Sequence, residues 1–442
     1  MPKIISVREY DKIICNSQFE NDSRYTYVRE DYFDKIIDFI ENERVEKDEQ
    51  ILDFFSYNRM KRIGKAITFK NYVGILNIND NVQIEVLPKI DFIPEIINED
   101  EAIKTTKEIF LKMIKSMLDI SNKTFYSANL DVANMPIFEI FISLYISEVR
   151  EIIKKGLKSS YFEIEDNKNV LKGKLLFNKH LKHNLVHKEK FYVGYDEYGI
   201  NRPENRIIKS TLLMLQKMTS SYNNSKLIRQ ELIHFEEVEP SYNYQNDFSK
   251  VSIDRNTKLY EQAMTWSRIF LYKNSFTTFS GKEKSKAILF PMEKVYEEYV
   301  AKEMRKAASK IEWKVKTQEQ KFSLFNSLNG EDINKFRLKP DIVLSKGDKQ
   351  IILDTKWKKL IDNKAKNYGI SQADMYQMYA YSKKYNTSEV WLLYPLNKDM
   401  LKYKNNIIKY SSNDNVNVSI YFVNLKEIQK DLEKLISLID KR

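Results

Sequence analysis

Two short apolar runs joined by a tight turn constrain this chain more than any other part of its sequence. The first run covers residues 340–344 (PDIVL) and the second covers residues 351–356 (IILDTK). Gly347 and Asp348 between them suit a type II′ hairpin loop, because glycine accepts the positive φ that the first central position of this turn requires. The pattern therefore predicts two antiparallel strands that pair around this loop.

The register of the predicted hairpin places three ionisable side chains on one face. With a two-residue loop, Lys346 pairs with Lys349, and counting outward sets Asp341 opposite Asp354. Directly opposed residues on antiparallel strands point to the same face, and so does Lys356, two residues beyond Asp354. Two carboxylates and one ammonium at one point predict a site for a divalent cation and a phosphate.

The expected chemistry follows from the preferences of the cation. Mg²⁺ usually binds one or two protein carboxylates together with water and substrate phosphate, so Asp341 and Asp354 suit it, with the carbonyl oxygen of Thr355 as a further ligand. A bound Mg²⁺ or Mn²⁺ would polarise a phosphoryl oxygen and lower the pKa of its water. Lys356 would orient that water or stabilise charge on the phosphate. The predicted reaction is metal-dependent hydrolysis of a phosphodiester.

A purely structural interpretation of the same residues stays open. Asp341 could follow Pro340 simply at the start of a strand, and Asp354 with Lys356 could form a solvated ion pair worth under about 1 kcal/mol. Against this, Ile351–Leu353 is typical of a buried strand, which would not readily carry an unpaired acid with it.

Composition and charge limit the class of protein. At 442 residues and 42% apolar composition, the chain can bury the cores of two to four domains. Its single cysteine, Cys15, excludes an intramolecular disulfide and fits a reducing, cytoplasmic setting. The longest apolar run, 135–149, is too short to span a bilayer and contains two glutamates, so we expect no membrane partner. The formal charge of +11 modestly favours a polyanionic partner such as nucleic acid.

Hydrophobic periodicity divides the chain into three predicted domains and gives a mixed, multidomain α/β fold class. Residues 1–100 are strand-rich, residues 101–280 are mainly helical with some strands, and residues 285–442 alternate helices and strands in an α/β core. Within these domains, the polar stretch 237–257 is expected to be irregular, and a strand is expected over 311–317.

The last domain resembles a known class of enzymes. Pro340-Asp341, Asp354-Thr355-Lys356 and the order helix, strand, hairpin, helix, strand resemble the PD-(D/E)XK restriction-endonuclease-like superfamily. The resemblance implies that a glutamate from the helix before the hairpin joins the metal site. Glu297 is the candidate and Glu293, one turn earlier, is the alternative. Both could equally be exposed helix-face charges, which is the commoner use of such residues.

Some branches of the superfamily also carry Gln-x-x-x-Tyr on the helix after the hairpin. This chain offers that pattern twice, as Gln372/Tyr376 and as Gln377/Tyr381, on a helix that is expected to start at Ser371 with a capping box. The two pairs lie on helix faces that differ by about 140°. Only one pair can face the site, and we expect it to be Gln377/Tyr381.

A narrower resemblance covers nearly the full length of the chain. Several segments are similar, in this order, to the McrC family, the nuclease subunits of McrBC-type modification-dependent restriction systems. These segments are Ser6–Tyr10, Asn71–Gly74, Ile84–Ile90, Leu171–Lys174, Asn205-Arg206, Met375–Tyr381 and Leu393–Pro395.

The resemblance implies a division of labour between two proteins. It implies an endonuclease of phage defence that cuts double-stranded DNA. Its partner would be a McrB-like AAA+ GTPase, a hexameric ring that recognises 5-methylcytosine and is stimulated by this chain. It also implies that residues 1–280 dock into the ring. The sequence contains no Gly-x-x-x-x-Gly-Lys-Ser/Thr motif, so we expect no nucleotide to bind to the chain itself.

Two other functions remain open from the sequence. One is a stand-alone nuclease of the same superfamily that serves repair or another defence system. The other is a non-catalytic adaptor that activates an AAA+ ring. Intact Asp341, Asp354 and Lys356 argue against a silent nuclease fold.

Overall fold

The chain folds into several β-sheets and numerous α-helices, which confirms the mixed α/β fold class. The computed structural model describes residues 3–22, 24–45, 54–79, 82–88, 99–118, 135–253, 258–272, 287–325 and 335–441. The chain divides into two units: one comprises residues 1–120, 131–137 and 275–442, and the other comprises residues 121–130 and 138–274. Across the described ranges, no helix has both the length and the apolar character that crossing a membrane requires.

The N-terminal part of the first unit is rich in strands. Two sheets have the orders β3-β2-β5-β4 and β1-β7-β6, the second being extended by a later strand. The elements are β1 (Lys3–Arg8), β2 (Lys12–Ile14), β3 (Tyr25–Tyr27), α1 (Glu30–Val45), β4 (Phe55–Met60), β5 (Gly64–Phe69), β6 (Tyr72–Asn79), β7 (Val82–Leu87) and α2 (Glu99–Met117).

The second unit is mainly helical, with one antiparallel sheet of order β8-β10-β9. Its first helix carries Glu139, whose buried carboxylate accepts hydrogen bonds from the backbone N–H groups of Ser220 and Ser221. The elements are α3 (Ile137–Lys154), β8 (Ser160–Lys168), β9 (Lys174–Leu175), α4 (Phe177–His183), β10 (Phe191–Gly199), α5 (Pro203–Met218), α6 (Tyr222–Ile233), α7 (Tyr244–Lys250) and α8 (Tyr260–Tyr272).

The prediction that residues 237–257 are irregular is wrong at α7. The side chain of Asn243 caps this helix by accepting a hydrogen bond from the backbone N–H of Asn246 at 3.0 Å. Phe248 and Asp247 are buried, and Asp247 forms an ion pair with Arg206 at 2.6 Å. A helix held by one aromatic ring and one ion pair shows little hydrophobic periodicity, which is why its sequence resembles a loop.

The C-terminal part of the first unit is built on a six-stranded sheet of order β12-β15-β16-β17-β19-β18. Its elements are β11 (Ala287–Pro291), α9 (Met292–Ser309), β12 (Lys314–Thr317), β13 (Ser323–Phe325), β14 (Lys335–Arg337), β15 (Ile342–Lys346), β16 (Lys349–Thr355), α10 (Gln372–Tyr385), β17 (Glu389–Pro395), β18 (Ile408–Ser411), β19 (Asn417–Val423) and α11 (Ile428–Asp440).

Strand β11 joins the two parts of the first unit. It pairs antiparallel with β6, with Ala287 opposite Leu76, and so becomes the fourth strand of the sheet β1-β7-β6-β11. The helix α9 follows β11 directly and contacts both α2 and α11. The predicted division into three domains stays a prediction.

The predicted hairpin forms with the predicted register. Lys346 pairs with Lys349, and the ladder runs outward to Ile342 opposite Leu353. Gly347 has a φ of 59°, as the first central position of a type II′ turn requires. Strand β16 pairs antiparallel with β15 and parallel with β17, and its apolar run is fully buried because α9 and α10 contact this strand as well.

The strand predicted over 311–317 begins three residues later, at Lys314. The helix α9 ends at Ser309, and the backbone N–H of Trp313 donates to the carbonyl of Ala308 at 3.2 Å. Glu312 between them has a φ of 62°, a left-handed conformation that breaks the extended chain.

Candidate active site

The open end of the hairpin brings Asp341 against the end of β16. One oxygen of Asp341, Oδ2, accepts a hydrogen bond from the backbone N–H of Thr355 at 2.7 Å and a second from the Thr355 hydroxyl, also at 2.7 Å. The backbone N–H of Gln318 donates to the carbonyl of Asp341 at 3.1 Å. These bonds fix the Asp341 carboxylate beside Thr355, whose carbonyl oxygen is predicted from the sequence to be a metal ligand.

Asp354 directly precedes Thr355 on β16 and is 1% exposed. Burial, followed by the nearby charge of Asp341, raises the pKa of its carboxyl to about 7, although Lys356 acts in the opposite direction. The ammonium Nζ of Lys356 lies 2.6 Å from Asp354 Oδ2. Asp341, Asp354 and Lys356 therefore meet at one end of the hairpin.

A second contact of Lys356 connects the site to α10. Its Nζ donates to Gln377 Oε1 at 2.9 Å, and Gln377 Nε2 donates in turn to the hydroxyl of Tyr381 at 2.8 Å. Burial lowers the pKa of Lys356, but the charge and hydrogen bond of Asp354 outweigh it, so the pKa is raised overall. The ammonium is thus held charged between a carboxylate and an amide oxygen.

The structure separates the two Gln-x-x-x-Tyr pairs. Tyr381 is buried, and the charge of Asp354 contributes, after burial, to raising its pKa. Tyr376 is 66% exposed, and Gln372 donates to its hydroxyl at 2.6 Å on the exposed face of α10. Gln377/Tyr381 therefore faces the carboxylates, and Gln372/Tyr376 does not.

Glu297 on α9 lies half-buried near the same carboxylates. Burial, together with the charges of Asp341 and Asp354, raises the pKa of Glu297 to about 8. Glu293 is exposed and instead lines a cavity beside Lys356. Of the two glutamates that the sequence left as alternatives, Glu297 is the one electrostatically coupled to both aspartates.

The cavity beside Lys356 has a volume of about 430 Å³ and is lined by two acidic residues that the sequence did not suggest as part of the site. Glu9, 2% exposed, accepts a hydrogen bond from the indole Nε1 of Trp357 at 2.8 Å. Asp374 accepts a hydrogen bond from the hydroxyl of Tyr394 at 3.3 Å, and its charge helps to raise the pKa of Asp354. Asp374 is also the residue whose backbone N–H donates to Ser371 Oγ at 3.1 Å, in the capping box predicted to start at Ser371.

The donor set suits a hard divalent cation that keeps some of its water. The charge of Asp341 contributes to raising the pKa values of both Asp354 and Glu297, so negative charge is concentrated in a buried place, and a cation would relieve that repulsion. Among the described residues, no group of three or more His, Cys, Asp or Glu side chains is already arranged around a metal position. Mg²⁺ needs only one or two protein carboxylates, so Asp341, Asp354 and the Thr355 carbonyl suffice.

Comparison with known proteins identifies the family. The sequence profile of the McrBC 5-methylcytosine restriction system component family matches residues 67–395. The chain belongs to that family, which confirms the resemblance carried by its segments. No curated protein sequence matches it significantly.

Solved structures provide the second comparison. A structure of the refined half-complex from a tetradecameric assembly of Thermococcus gammatolerans McrB AAA+ hexamers with bound McrC contains a chain with the same fold. The TM-score is 0.69 at 16% sequence identity, over 99% of this chain and 100% of that one. The cryo-EM structure of the Thermococcus gammatolerans McrBC complex matches more weakly, with a TM-score of 0.49 at 18% identity over 69% of this chain and 88% of that one.

Proposed function

We propose that this chain is the Mg²⁺- or Mn²⁺-dependent DNA endonuclease subunit of a McrBC-like restriction system and that residues 285–442 form a PD-(D/E)XK nuclease domain. The observation that carries the proposal is the convergence of Asp341, Asp354 and Lys356 at one end of a buried hairpin, with Lys356 held by Gln377. In a solvated surface ion pair the carboxylate would be exposed to water. Asp354 is instead 1% exposed, and its pKa is raised to about 7.

The metal ligands in this proposal are Asp341, Asp354 and the carbonyl oxygen of Thr355, with Glu297 as a further carboxylate. A divalent cation at this position would supply Lewis-acid polarisation of the scissile phosphate. The hydrogen bonds from the backbone N–H and the hydroxyl of Thr355 hold Asp341 in place. Such fixed ligands reduce the reorganisation needed when the substrate binds.

Lys356 acts on the attacking water or on the charge that develops on the phosphate. An ammonium has three N–H donors. The Lys356 ammonium contacts Asp354 Oδ2 on one side and Gln377 Oε1 on another. The remaining donor is available to a water or phosphate oxygen at the cavity, which Lys356 lines. Tyr381 orients the Gln377 amide, so it acts through Gln377 rather than on the substrate.

The partner in this proposal is a McrB-like AAA+ GTPase ring. Family membership and the fold shared with a chain of the Thermococcus gammatolerans McrB–McrC half-complex support it. The partner would recognise 5-methylcytosine in double-stranded DNA, and this chain would stimulate its GTP hydrolysis and cut. The site described here would therefore work in the cytoplasm, in defence against phage.

Substitution of Asp354 tests this function. The complex of the full chain with a McrB-like GTPase is assayed on methylated and plain DNA with Mg²⁺. Asp354→Ala should abolish cleavage and keep the stimulation of GTP hydrolysis. Asp348→Ala, on the exposed loop of the same hairpin, is the matched control and should cut like the wild type. Undiminished cleavage by Asp354→Ala would refute the site, and cleavage by the wild-type chain without any partner would favour a stand-alone nuclease.

A further inference from the structure

A two-stranded ribbon leads directly into the candidate active site. It consists of β13 and β14, which pair antiparallel with Ser323 opposite Arg337 and Phe325 opposite Lys335. Residues 326–334 between the two strands lie outside the described part of the chain. Only three residues separate the end of β14 from Asp341, so the ribbon and the proposed metal ligand share one segment of backbone.

The base of the ribbon is anchored to the core of the six-stranded sheet. The backbone N–H of Leu338 donates to the carbonyl of Phe322 at 2.9 Å. The ring of Phe322 packs edge-on against Tyr385 of α10, with ring centroids 4.7 Å apart, and both Phe322 and Leu338 pack against the buried cluster of that sheet. The ribbon therefore has a fixed origin relative to Asp341.

Two large aromatic side chains project from the ribbon without being buried. Phe325 is 62% exposed and Phe336 is 73% exposed, and their rings meet edge to face with centroids 6.1 Å apart. Phe336 also has a φ of 54°, a left-handed backbone conformation that is unfavourable for an aromatic residue. Exposed apolar surface combined with an unfavourable backbone conformation is characteristic of a functional position rather than of a structural one.

The ribbon and the segments that flank it carry three basic side chains. Lys321, Arg337 and Lys339 are all exposed on the segments that form and flank the ribbon. Within the ranges described above, no salt bridge is formed by any of the three; the nearby Glu319 pairs instead with Lys316 at 2.8 Å. Basic residues interleaved with aromatic rings suit a polyanion that also offers flat or apolar surfaces, which is the chemistry of nucleic acid.

We propose that the β13–β14 ribbon is a duplex-DNA-binding element of this chain. Lys321, Arg337 and Lys339 contact backbone phosphates near the scissile one, and Phe325 and Phe336 contact bases or sugars within a groove. A two-stranded ribbon is of a size that the major groove admits. The inference rests on the proposed function for the identity of the substrate, but it assigns binding to residues outside the cutting site.

The test measures equilibrium DNA binding by the full-length chain. A fluorescein-labelled duplex is titrated in EDTA, so that neither cleavage nor the metal site contributes, and the anisotropy is followed over a range of salt concentrations. The charge-reversal variant K321E/R337E should weaken binding at least about tenfold and flatten the salt dependence by about one unit of log–log slope for each lost phosphate contact. The variant F325A/F336A should weaken binding by roughly tenfold with an unchanged salt slope.

Two matched controls carry the same chemical changes elsewhere. Tyr222→Ala removes an 83% exposed aromatic ring from α6, and Lys430→Glu reverses an exposed charge on α11. Both should bind DNA like the wild type. Because all the substituted side chains are exposed, thermal melting of every variant should match the wild type, and this is measured alongside.

The outcomes separate this inference from the proposed function. Asp354→Ala should bind DNA with wild-type affinity, and loss of cleavage in that variant alone bears only on the cutting site. If the wild-type chain fails to cut but the ribbon variants still lose DNA binding, the ribbon inference stands and the proposed activity fails. Wild-type affinity in both ribbon variants, or no duplex binding by the wild type at low salt, would overturn the ribbon inference. If the ribbon variants bind DNA like the wild type but no longer stimulate GTP hydrolysis, the ribbon contacts the partner ring, and this result would likewise overturn the ribbon inference.

Discussion

The indole Nε1 of Trp357 donates a hydrogen bond to Glu9 Oε1 at 2.8 Å, although 348 positions separate the two residues. Trp357 directly follows Lys356, and Glu9 directly follows β1. The backbone N–H of Glu9 donates to the carbonyl of Leu87 at 2.9 Å, and that of Lys356 donates to the carbonyl of Leu393 at 3.0 Å. The contact thus connects the N-terminal sheet to the backbone of the proposed catalytic lysine.

The first prediction concerns this contact. Trp357→Phe removes the indole donor of the hydrogen bond to the Glu9 carboxylate. The loss of a hydrogen bond to a charged group should cost roughly 1.5–3 kcal/mol in the free energy of unfolding. The cleavage rate of the complex should also fall, because the backbone that carries Lys356 loses a support. Urea unfolding and single-turnover cleavage measure the two effects.

A double-mutant cycle with Glu9→Gln provides the control for that prediction. If the two residues act through one contact, the double variant should lose less than the sum of the single losses. Additive losses would show that Glu9 and Trp357 stabilise the site independently, contrary to the structure.

The second prediction compares two glutamines on α10. Gln377→Ala removes the amide oxygen that holds the Lys356 ammonium and should reduce the cleavage rate on the order of a hundredfold through misplacement of that group. Gln372→Ala, on the exposed face of the same helix, should leave the rate unchanged. Equal effects of the two substitutions would contradict the assignment of Gln377/Tyr381 to the site.

The third prediction compares the two glutamates on α9. Glu297→Gln removes a carboxyl that lies near Asp341 and Asp354 and should raise the Mg²⁺ concentration needed for half-maximal cleavage. Glu293→Gln changes an exposed residue at the cavity and should leave that concentration unchanged. A larger effect of Glu293→Gln would make Glu293 the metal-binding glutamate.

The fourth prediction concerns the pH dependence of stability. Burial and the neighbouring carboxylates raise the pKa of Asp354 to about 7 and that of Glu297 to about 8. Between about pH 4 and these values, the folded state therefore binds protons that the unfolded state has already released. Since the folded state binds more protons in this window, the free energy of unfolding contributed by these groups falls as the pH rises from about 4 to about 8.

If Mg²⁺ binds at the proposed site, it should counteract that trend, because the cation competes with the protons on the same carboxylates. Melting temperatures measured in EDTA and in Mg²⁺ should therefore differ more at about pH 8 than at about pH 5.5. In Asp354→Asn the Mg²⁺-dependent gain should shrink at both pH values. A gain independent of pH in the wild type would mean that the cation binds elsewhere.

The parts of the site that the sequence predicts are those set by short-range rules. Gly347 in a two-residue loop fixes the register, and the register alone brings Asp341 to Asp354. Ser371 caps α10 as its spacing with Asp374 indicates, and the helical repeat then separates Gln377 from Gln372. In each case the deciding interaction spans fewer than about twenty residues along the chain.

The parts that the sequence did not indicate depend on contacts distant along the chain or on unfavourable backbone geometry. Glu9 reaches the site only because β1 and β7 pair, and β11 belongs to the N-terminal sheet only because it meets β6. The ribbon escapes pattern recognition because its strands have three residues each and because Phe336 has a positive φ. Such features require the folded structure, since no periodicity or turn motif marks them.

The most direct test of the account is the cleavage of methylated DNA by the complex that contains Lys356→Met. Methionine keeps most of the side-chain volume and removes the ammonium that lies 2.6 Å from Asp354 Oδ2. In this variant, cleavage with Mg²⁺ should be lost while DNA binding, assembly with the GTPase and stimulation of GTP hydrolysis are retained. Cleavage at the wild-type rate by this variant would contradict the claim that Asp341, Asp354 and Lys356 form the cutting site.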